Sequence, residues 1–264
     1  MESAEGARSF ITSGNAYDAF MGRYSRSLAV PLAEWVGLTV GQSVLDVGCG
    51  PGALTDALVQ RLGAPAVFAF DPSPPFVDEC ARRYPGVDVR HGRAEAIPFD
   101  DDQFDAAIAQ LVLHFVTVPS DAAAEMRRVV RPGGLVAACV WDFDEGMQML
   151  RHFWDAALAV DPGAPDEAQT MRFGRAGEIA DLFRAAGLID VDESTITVSV
   201  TYPDFDELWS GFLAGIGPAG VYCTSLTDAQ RASLKSELFN RVGSPTGEFS
   251  LQAAARCARA TVSR

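Results

Sequence analysis

The stretch Val44–Gly52 holds the residues whose types and spacing best suit the binding of a nucleotide. A short apolar run ends there in three glycines, Gly48, Gly50 and Gly52. Glycines at the carboxyl end of a buried strand let the backbone turn sharply and let a ligand approach without a Cβ in the way. About 20 residues on, at the next strand end, Asp71 supplies the acid that binds the ribose in such sites. The pattern predicts a nucleotide site.

Asp46 distinguishes between two kinds of nucleotide site. Gly48-x-Gly50-x-x-Ala53 also satisfies the dinucleotide fingerprint, which needs the same acid at Asp71. Dinucleotide folds ordinarily bury an apolar residue two positions before the first glycine, where this chain has Asp46. A carboxylate there needs polar partners, since an isolated buried charge is very costly. Asp46 therefore disfavours a dinucleotide, and NAD(P) binding stays open as the alternative.

Four motifs, in order, resemble those of the class I S-adenosylmethionine-dependent methyltransferases, of the small-molecule, methyltransferase type 11-like kind. They are VLDVGCGPG, FAFDPS, GRAEAIPFDDDQFDAAIAQLVLHF, and RPGG followed by LVAACVW, spanning roughly Val40–Trp141. The resemblance implies an α/β fold with a Rossmann-like, doubly wound, mostly parallel seven-stranded sheet, a last antiparallel strand and an inserted helical cap. It also implies S-adenosyl-L-methionine as cofactor, with S-adenosyl-L-homocysteine as product.

The implied activity is metal-independent, in-line methyl transfer to a small-molecule acceptor. The alternatives are an NAD(P)-dependent oxidoreductase and a catalytically silent S-adenosylmethionine-binding protein. By resemblance, Asp71 accepts from the ribose hydroxyls, Asp46 orients the loop and the amino group, and Gln110 neighbours the methionine portion. The expected cofactor-binding residues are Tyr17, Arg26, Asp46, Gly48, Cys49, Gly50, Asp71, Pro72, Phe76, Arg93, Ala94, Glu95, Gln110 and Leu111.

One position departs from the family pattern. Where the family commonly has Gly-Asp-Ala-Glu, with the Asp accepting from the adenine amino group, this chain has Gly92-Arg93-Ala94-Glu95. Arginine has no acceptor atom. Either Glu95 or a neighbouring carbonyl takes over this role, or Arg93 lies against the purine, or it is a solvated surface residue.

Aromatic residues outside the cofactor motifs are the candidates for an acceptor pocket. We expect Tyr24, Trp141, His152, Trp154 and Phe173 to enclose it. His114 follows the fourth strand and is the candidate general base, because its ordinary pKa near 6.5 suits proton removal at neutral pH. In an apolar run, packing is the alternative role for His114. No cluster of Asp, Asn and His suggests a metal.

Strands alternate with helices along the first half of the chain, which predicts a parallel sheet with helices on both faces. The predicted strands are Ser43–Val47, Val67–Phe70, Val87–His91, Phe104–Gln110, Leu135–Trp141, residues 191–202 and Phe249–Val262. The predicted helices include Ala53–Leu62, one capped by Ser73, Ser120–Val130 closed by Arg131-Pro132-Gly133-Gly134, Met147–Val160, Glu178–Ala186, Phe205–Ala214 and Thr227–Val242.

The order of predicted strands and helices indicates how the chain is divided into segments. We expect residues 1–38 to form a helical cap segment, 39–143 the cofactor-binding core, and 144–177 and 203–247 two cap insertions. Residues 178–202 add a core helix and strand, and 248–264 the final antiparallel strand.

Composition restricts the partners. The 264 residues carry 35 Asp and Glu against 21 Lys and Arg, a formal net charge of -14, which repels nucleic acid and anionic membranes. The five cysteines lack metal or redox spacing, and no apolar stretch approaches the roughly 20 residues of a membrane span. We expect a cytoplasmic protein with reduced thiols and a small-molecule acceptor.

Overall fold

The structure, a computed structural model, describes residues 21–263. In this part of the chain, seven strands form one sheet in the order β3-β2-β1-β4-β5-β7-β6. The strands are β1 (Val44–Val47), β2 (Val67–Asp71), β3 (Asp88–His91), β4 (Phe104–Gln110), β5 (Val130–Trp141), β6 (Ile189–Tyr202) and β7 (Phe249–Thr261). The helices are α1 (Arg23–Val36), α2 (Ala53–Leu62), α3 (Pro74–Arg83), α4 (Pro119–Val129), α5 (Gln148–Val160), α6 (Glu178–Ala185), α7 (Phe205–Leu213), α8 (Gly217–Ser225) and α9 (Asp228–Arg241).

The order of the strands fixes where a ligand can bind. Strands β1 to β5 pair in parallel, whereas β7 runs antiparallel to both β5 and β6. The predicted mostly parallel seven-stranded sheet with an antiparallel last strand is therefore confirmed. After β1 the chain moves outward to β2 and β3, and then returns to place β4 on the other side of β1. In open sheets ligands bind at such a reversal, outside the carboxyl ends of the strands.

The elements beside this reversal form as their residues predict. Every residue of β1 and β4 is buried, as expected for apolar strands covered on both faces. Helix α2 begins at Ala53 and ends at Leu62, as predicted, and Gly63 follows with φ +86°. A left-handed residue after the last turn suits glycine, which has no Cβ penalty there.

Two predicted helix caps are corrected. Helix α4 begins at Pro119, so Ser120 lies inside its first turn rather than before it. Proline suits the first helical position because its φ is already fixed and its missing N–H would be unpaired there anyway. Ser73 does precede α3, as predicted, but its side chain makes no capping hydrogen bond.

The predicted turn Arg131-Pro132-Gly133-Gly134 is also corrected, because these residues belong to β5. Val130 pairs with Phe104, and the register then shifts before Leu135 pairs with Ala106. A Cβ on Gly134 would stand 2.6 Å from the carbonyl oxygen of Asp105. The glycine lets the two strands approach at this irregularity, where residues 131–134 have no partner in β4 and pairing resumes at Leu135.

Helix α8 was not predicted, because Gly217-Pro218-Ala219-Gly220 looks like a break and its apolar residues lack helical spacing. It packs with α7 and α5 around an aromatic cluster. In this cluster the ring of Phe153 stacks on Phe212 with centroids 4.3 Å apart, and Tyr222 lies 5.5 Å from Trp154. The helices after Trp141 and Tyr202 thus share a core, and their assignment to a cap stays a prediction.

Two further findings concern composition. All five cysteines are free and buried. Within residues 21–263, no helix has both the length and the apolar character that a membrane crossing requires.

Candidate active site

The glycine loop after β1 is held tightly against β2. The backbone N–H groups of Gly48 and Cys49 both donate to the carbonyl oxygen of Phe70, each at 3.0 Å. Gly48 has φ +71°, and a Cβ there would stand 2.7 Å from Val112. Gly50 has φ +53°, and a Cβ there would meet no heavy atom of the described residues within 4 Å. The loop therefore packs closely at Gly48 and leaves open space at Gly50.

Asp71, at the end of β2, points its carboxylate at this loop. Oδ2 accepts from the backbone N–H of Gly50 at 2.9 Å, and Oδ1 accepts from that of Ser73 at 2.8 Å. Burial raises the pKa of Asp71, and these two hydrogen bonds oppose the rise. Each carboxylate oxygen keeps acceptor capacity beyond its one backbone donor. The side chain is therefore fixed at the open side of the loop with room for two hydroxyl donors.

Asp46 is almost fully buried and has the polar partner that its position requires. Its Oδ2 accepts from the hydroxyl of Thr55 at 2.6 Å, which ties β1 to the first turn of α2. Burial raises the pKa of Asp46 to about 7, and the hydrogen bond from Thr55 opposes the rise. Thr55 was not among the predicted residues, although its place in the first turn after the glycines is the signal that could have found it.

The stretch expected on the adenine side has one fixed and one exposed charged residue. Glu95 accepts at Oε1 from the backbone N–H groups of Thr117 and Val118, at 3.0 and 3.4 Å. Arg93 has a side chain that is 64% exposed, and its guanidinium lies 3.6 Å from Glu95. The structure thus puts Arg93 at the surface, and the carboxylate of Glu95 is engaged with the loop after β4.

The remaining residues expected at the cofactor lie on several elements. Cys49 packs its side chain into a small buried cluster with Ala69 and Cys80. Phe76 and Ala94 are buried, whereas Pro72 and Arg26 are exposed. Tyr17 lies outside the described residues.

Gln110 ends β4 and carries an unpaired acceptor. Its Nε2 donates to the carbonyl oxygen of Ser25 at 2.9 Å, while its Oε1 is buried with no hydrogen-bond partner within residues 21–263. The next residue, Leu111, has φ +61°, and its N–H donates to the carbonyl oxygen of Cys139. A buried acceptor beside the sheet reversal suits an amino group of a ligand, because an unmade hydrogen bond is costly.

A cavity begins beside this point, with about 500 Å³ of empty space that includes solvent at its mouth, and Leu111 forms part of its wall. Its described lining comprises Met21, Leu111, His114, Phe115, Trp141, Phe143, Leu150, Glu167, Met171 and residues 216–219. Of the residues predicted to enclose an acceptor, Trp141 is in this lining. Tyr24, His152, Trp154 and Phe173 are not.

These four side chains make other contacts, away from the cavity. Tyr24 is fully buried behind Trp141, with ring centroids 6.3 Å apart, and its hydroxyl accepts from Tyr202 at 3.1 Å. Trp154 is buried and donates from Nε1 to Glu167. His152 is half-buried near the charges of Asp155 and Arg241 rather than at the cavity. Phe173 lies beneath the guanidinium of Arg172, 5.8 Å from its ring centroid.

His114 lines the cavity as a neutral imidazole. Burial and the nearby charge of Arg172 lower the pKa of His114 to about 3. Its Nδ1 is buried without a hydrogen-bond partner in the described part of the chain, and its ring contacts Phe115 and Phe143. The imidazole is therefore uncharged at neutral pH and has hydrogen-bonding capacity that residues 21–263 do not use.

Glu167 lines the same cavity and was missed by sequence reasoning. Its Oε1 accepts from Nε1 of Trp154 at 2.8 Å, and the residue is 5% exposed. Burial raises the pKa of Glu167 to about 7, and Asp166 adds to the rise while Arg151 opposes it. In Pro165-Asp166-Glu167-Ala168-Gln169 the acid resembles an ordinary surface residue. Nothing in that stretch indicates burial.

Comparison with known proteins gives the family. Residues 45–138 match the family model described as a methyltransferase domain. An uncharacterized methyltransferase of Mycobacterium tuberculosis is 35% identical over 140 residues, 52% of this chain and 56% of the relative. The demethylmenaquinone methyltransferase of Renibacterium salmoninarum is 39% identical over 103 residues, 39% of this chain and 43% of the relative. The chain thus matches about half the length of these relatives.

A solved structure shows the same fold at low identity. Phosphoethanolamine N-methyltransferase 2 of Haemonchus contortus, in complex with S-adenosyl-L-methionine, has a TM-score of 0.60 at 13% identity, covering 100% of this chain and 61% of that one. The open loop at Gly50, the spare acceptor capacity of Asp71 and the unpaired oxygen of Gln110 fit the hydroxyls and amino group of that cofactor. Residues 45–138 therefore form a methyltransferase domain, similar to those of the class I S-adenosylmethionine-dependent methyltransferases.

Proposed function

We propose that the protein transfers the methyl group of S-adenosyl-L-methionine to a small-molecule acceptor held in the cavity beside Leu111. The observation that supports this most directly is the continuity of the two regions at the end of β4. Gln110, which we expect beside the methionine portion, has an unpaired buried oxygen, and the next residue, Leu111, lines the cavity. Cofactor and acceptor can therefore meet at one point of the sheet edge.

The chain's own residues would hold the cofactor at the loop after β1. Asp71 would accept from both ribose hydroxyls while its backbone partners keep the carboxylate in place. Gly50 would leave space for close approach, and Gln110 would accept from the amino group. Once bound, S-adenosyl-L-methionine supplies a methyl group on a positively charged sulfur. Arg93, Glu95 and Phe76 would form the adenine side, where the contact to the purine differs from the family pattern.

Positioning is the main contribution that the cavity would make. In-line displacement needs the accepting atom and the methyl carbon held in line at short range, and fixed orientation accounts for a large part of such rate enhancements. The walls are mostly apolar, so a bound acceptor would exclude water from the reacting atoms. Groups of three or more His, Cys, Asp or Glu that could bind a metal are absent from residues 21–263. The proposed transfer uses no metal.

A small-molecule acceptor is supported by the mostly apolar cavity and by one relative's name, demethylmenaquinone methyltransferase. The test is a screen of small acceptors with S-adenosyl-L-methionine labelled in the methyl group. We expect labelled product above the blank that lacks acceptor, and less product at the same subsaturating cofactor concentration when Asp71→Ala replaces the wild type. Labelled nucleic acid or protein in place of a labelled small molecule would contradict the proposal.

A further inference from the structure

The cavity has few polar groups, and their chemistry restricts the acceptor. Three side chains of its described lining carry a strong hydrogen-bonding atom: His114, Glu167 and Trp141. The other walls are apolar, with aromatic rings at Phe115 and Phe143. An anionic acceptor would find no cation in this lining and would face the carboxylate of Glu167. Burying an unpaired charge is very costly, so the cavity disfavours anions.

Within the part of the chain that the structure describes, the carboxylate of Glu167 forms no ion pair. No cation lies within ion-pair distance of its carboxylate among residues 21–263, because the guanidinium of Arg151 is taken by Asp155 and Asp166. Oε1 receives one hydrogen bond, from Trp154, and Oε2 receives none from the described residues. The second oxygen keeps its acceptor capacity at the cavity wall.

Trp141 adds a donor that distinguishes a hydroxyl from an ammonium group. Its Nε1–H is buried without an acceptor in the described part of the chain, although the side chain lines the cavity. A hydroxyl oxygen donates its proton and also accepts a hydrogen bond, whereas an ammonium group only donates. A hydroxyl group that donates to Glu167 would therefore keep acceptor capacity for a donor such as Trp141 or His114. The aromatic walls favour a flat apolar body for the rest of the molecule.

We infer that the methyl acceptor is a neutral, largely aromatic molecule with a weakly acidic hydroxyl group, and that Glu167 receives the hydroxyl proton. This inference rests on the proposed function. A lone pair of the acceptor oxygen forms the new bond to the methyl carbon as the bond between that carbon and sulfur breaks. The electron pair of the broken bond stays on sulfur, and the hydroxyl proton moves to Oε2 of Glu167. Charge balances, because the sulfonium charge is lost and the carboxylate is neutralised.

The proton affinity of Glu167 suits this role at neutral pH. Burial raises the pKa of Glu167 to about 7, and a general base works best when its pKa lies near the working pH. The charged groups beside it are Asp166 and, on α5, Arg151 with its partner Asp155. Neutral His114 lines the same cavity. The ionised form of Glu167 is the active base, so kcat/KM should rise with pH up to about 7 and then level off.

Three naphthalenes of matched size test the acceptor class: 2-naphthol, 2-naphthoate and 2-naphthylmethylammonium. Binding of each is measured with wild-type protein saturated with S-adenosyl-L-homocysteine. We expect 2-naphthol to bind at least tenfold more tightly than either charged analogue. Tighter binding of the ammonium analogue, or no saturable binding of 2-naphthol, would overturn the inferred class. Failure of S-adenosyl-L-homocysteine itself to bind would count against the proposed function instead.

Glu167→Gln tests the proton transfer, because the amide oxygen can still accept from Trp154 while the proton acceptor is lost. With 2-naphthol we expect kcat to fall at least 100-fold, KM and the Kd of S-adenosyl-L-homocysteine to stay within threefold, and the rise of kcat/KM with pH to vanish. Glu145→Gln, at an exposed position outside the cavity, is the matched control and should match the wild type.

Glu167→Asp keeps a carboxylate on a shorter side chain and should retain the pH dependence at a reduced kcat. It also serves as the second variant should Glu167→Gln fail to fold. Three results would overturn the assignment of Glu167. They are an unchanged kcat in Glu167→Gln, loss of the pH dependence in Glu167→Asp, and saturable binding of 2-naphthol to the wild type without methylated product.

Discussion

At the scale of single residues, Asp71 carries the greatest weight in the candidate cofactor site. We expect Asp71→Ala to weaken the binding of S-adenosyl-L-homocysteine by roughly 2 kcal/mol or more, because two charge-assisted hydrogen bonds to the ribose are lost. Titration calorimetry measures this change. Asp78→Ala, an exposed aspartate on α3, is the control.

Asp71 also holds the backbone of Gly50 and Ser73, so its loss can disturb the loop as well as the ligand. Circular dichroism should stay native in the variant. Unchanged affinity in a folded Asp71→Ala protein would show that the ribose lies elsewhere.

Arg93 gives a second prediction about the cofactor. Its side chain is mostly exposed and near Glu95, so we expect Arg93→Asp to be tolerated or to tighten S-adenosyl-L-homocysteine by restoring an acceptor for adenine. Calorimetry on this variant and on Arg93→Ala separates the new acceptor from the lost guanidinium. A tenfold loss of affinity in both variants would mean that Arg93 itself contacts the ligand.

His114 should make the folded state sensitive to acid. The folded-state pKa of His114, about 3, lies below its ordinary 6.5, so its contribution to stability is present above pH 6.5 and is lost as the pH falls. Between pH 6.5 and 5 the loss amounts to about 2 kcal/mol. Buried Asp46 and Glu167, with raised pKa values, change stability in the opposite direction, so the comparison must be between variants.

Urea unfolding of wild type and His114→Gln at pH 7 and pH 5 measures this contribution. The variant should lose about 2 kcal/mol less than the wild type between the two pH values. Exposed His91, as His91→Gln, serves as control. Equal losses in wild type and His114→Gln would mean that His114 is not held neutral.

The residues of the candidate site fall into two groups: those that a short sequence motif identifies and those that no local sequence signal identifies. Asp46, Gly48, Gly50 and Asp71 could be predicted because each stands at a strand end within a short motif. Glu167 could not be predicted, because its proposed role depends on its burial against α5. The residues around Glu167 in the sequence do not indicate that burial. The aromatic residues were predicted by type, but type does not tell which side of a helix faces a cavity, and His152 points elsewhere.

At the scale of elements, α9 offers a direct test of local prediction. Thr227 and Gln230 form a reciprocal capping box at its start, as the sequence predicts. We expect Thr227→Ala to reduce the free energy of unfolding by about 1 kcal/mol, because one backbone N–H loses its acceptor. Denaturant unfolding compares it with Ser233→Ala in the same helix. An effect of Thr227→Ala no larger than that of the control would contradict the role of the cap.

Helices and strands whose apolar residues recur with a regular period were predicted well. Segments whose conformation depends on contacts with distant parts of the chain were not. Helix α2 and strand β4 match their predicted bounds because an apolar stripe and a mostly apolar run are local signals. The Arg131–Gly134 motif belongs to β5 although it interrupts the pairing with β4, because Gly133 and Gly134 exchange backbone hydrogen bonds with Val262. Helix α8 forms against α7 and α5 although Gly217 and Pro218 suggest a break.

At the scale of the whole molecule, the sheet order explains why cofactor and acceptor can share one edge. The reversal between β1 and β4 brings the glycine loop, Asp71 and Gln110 to the same end of the sheet, and the segments after β5 and β6 build the cavity next to it. The division of those segments into two cap insertions remains our prediction. The net charge of -14 agrees with an acceptor that is not nucleic acid.

The measurement that tests the central claim most directly is a calorimetric titration of the wild-type protein with S-adenosyl-L-homocysteine, NAD and NADP in parallel. We predict saturable one-to-one binding of S-adenosyl-L-homocysteine and no heat of binding with either dinucleotide. Binding of NAD or NADP without S-adenosyl-L-homocysteine would contradict the account and would reassign the glycine loop and Asp71 to a dinucleotide.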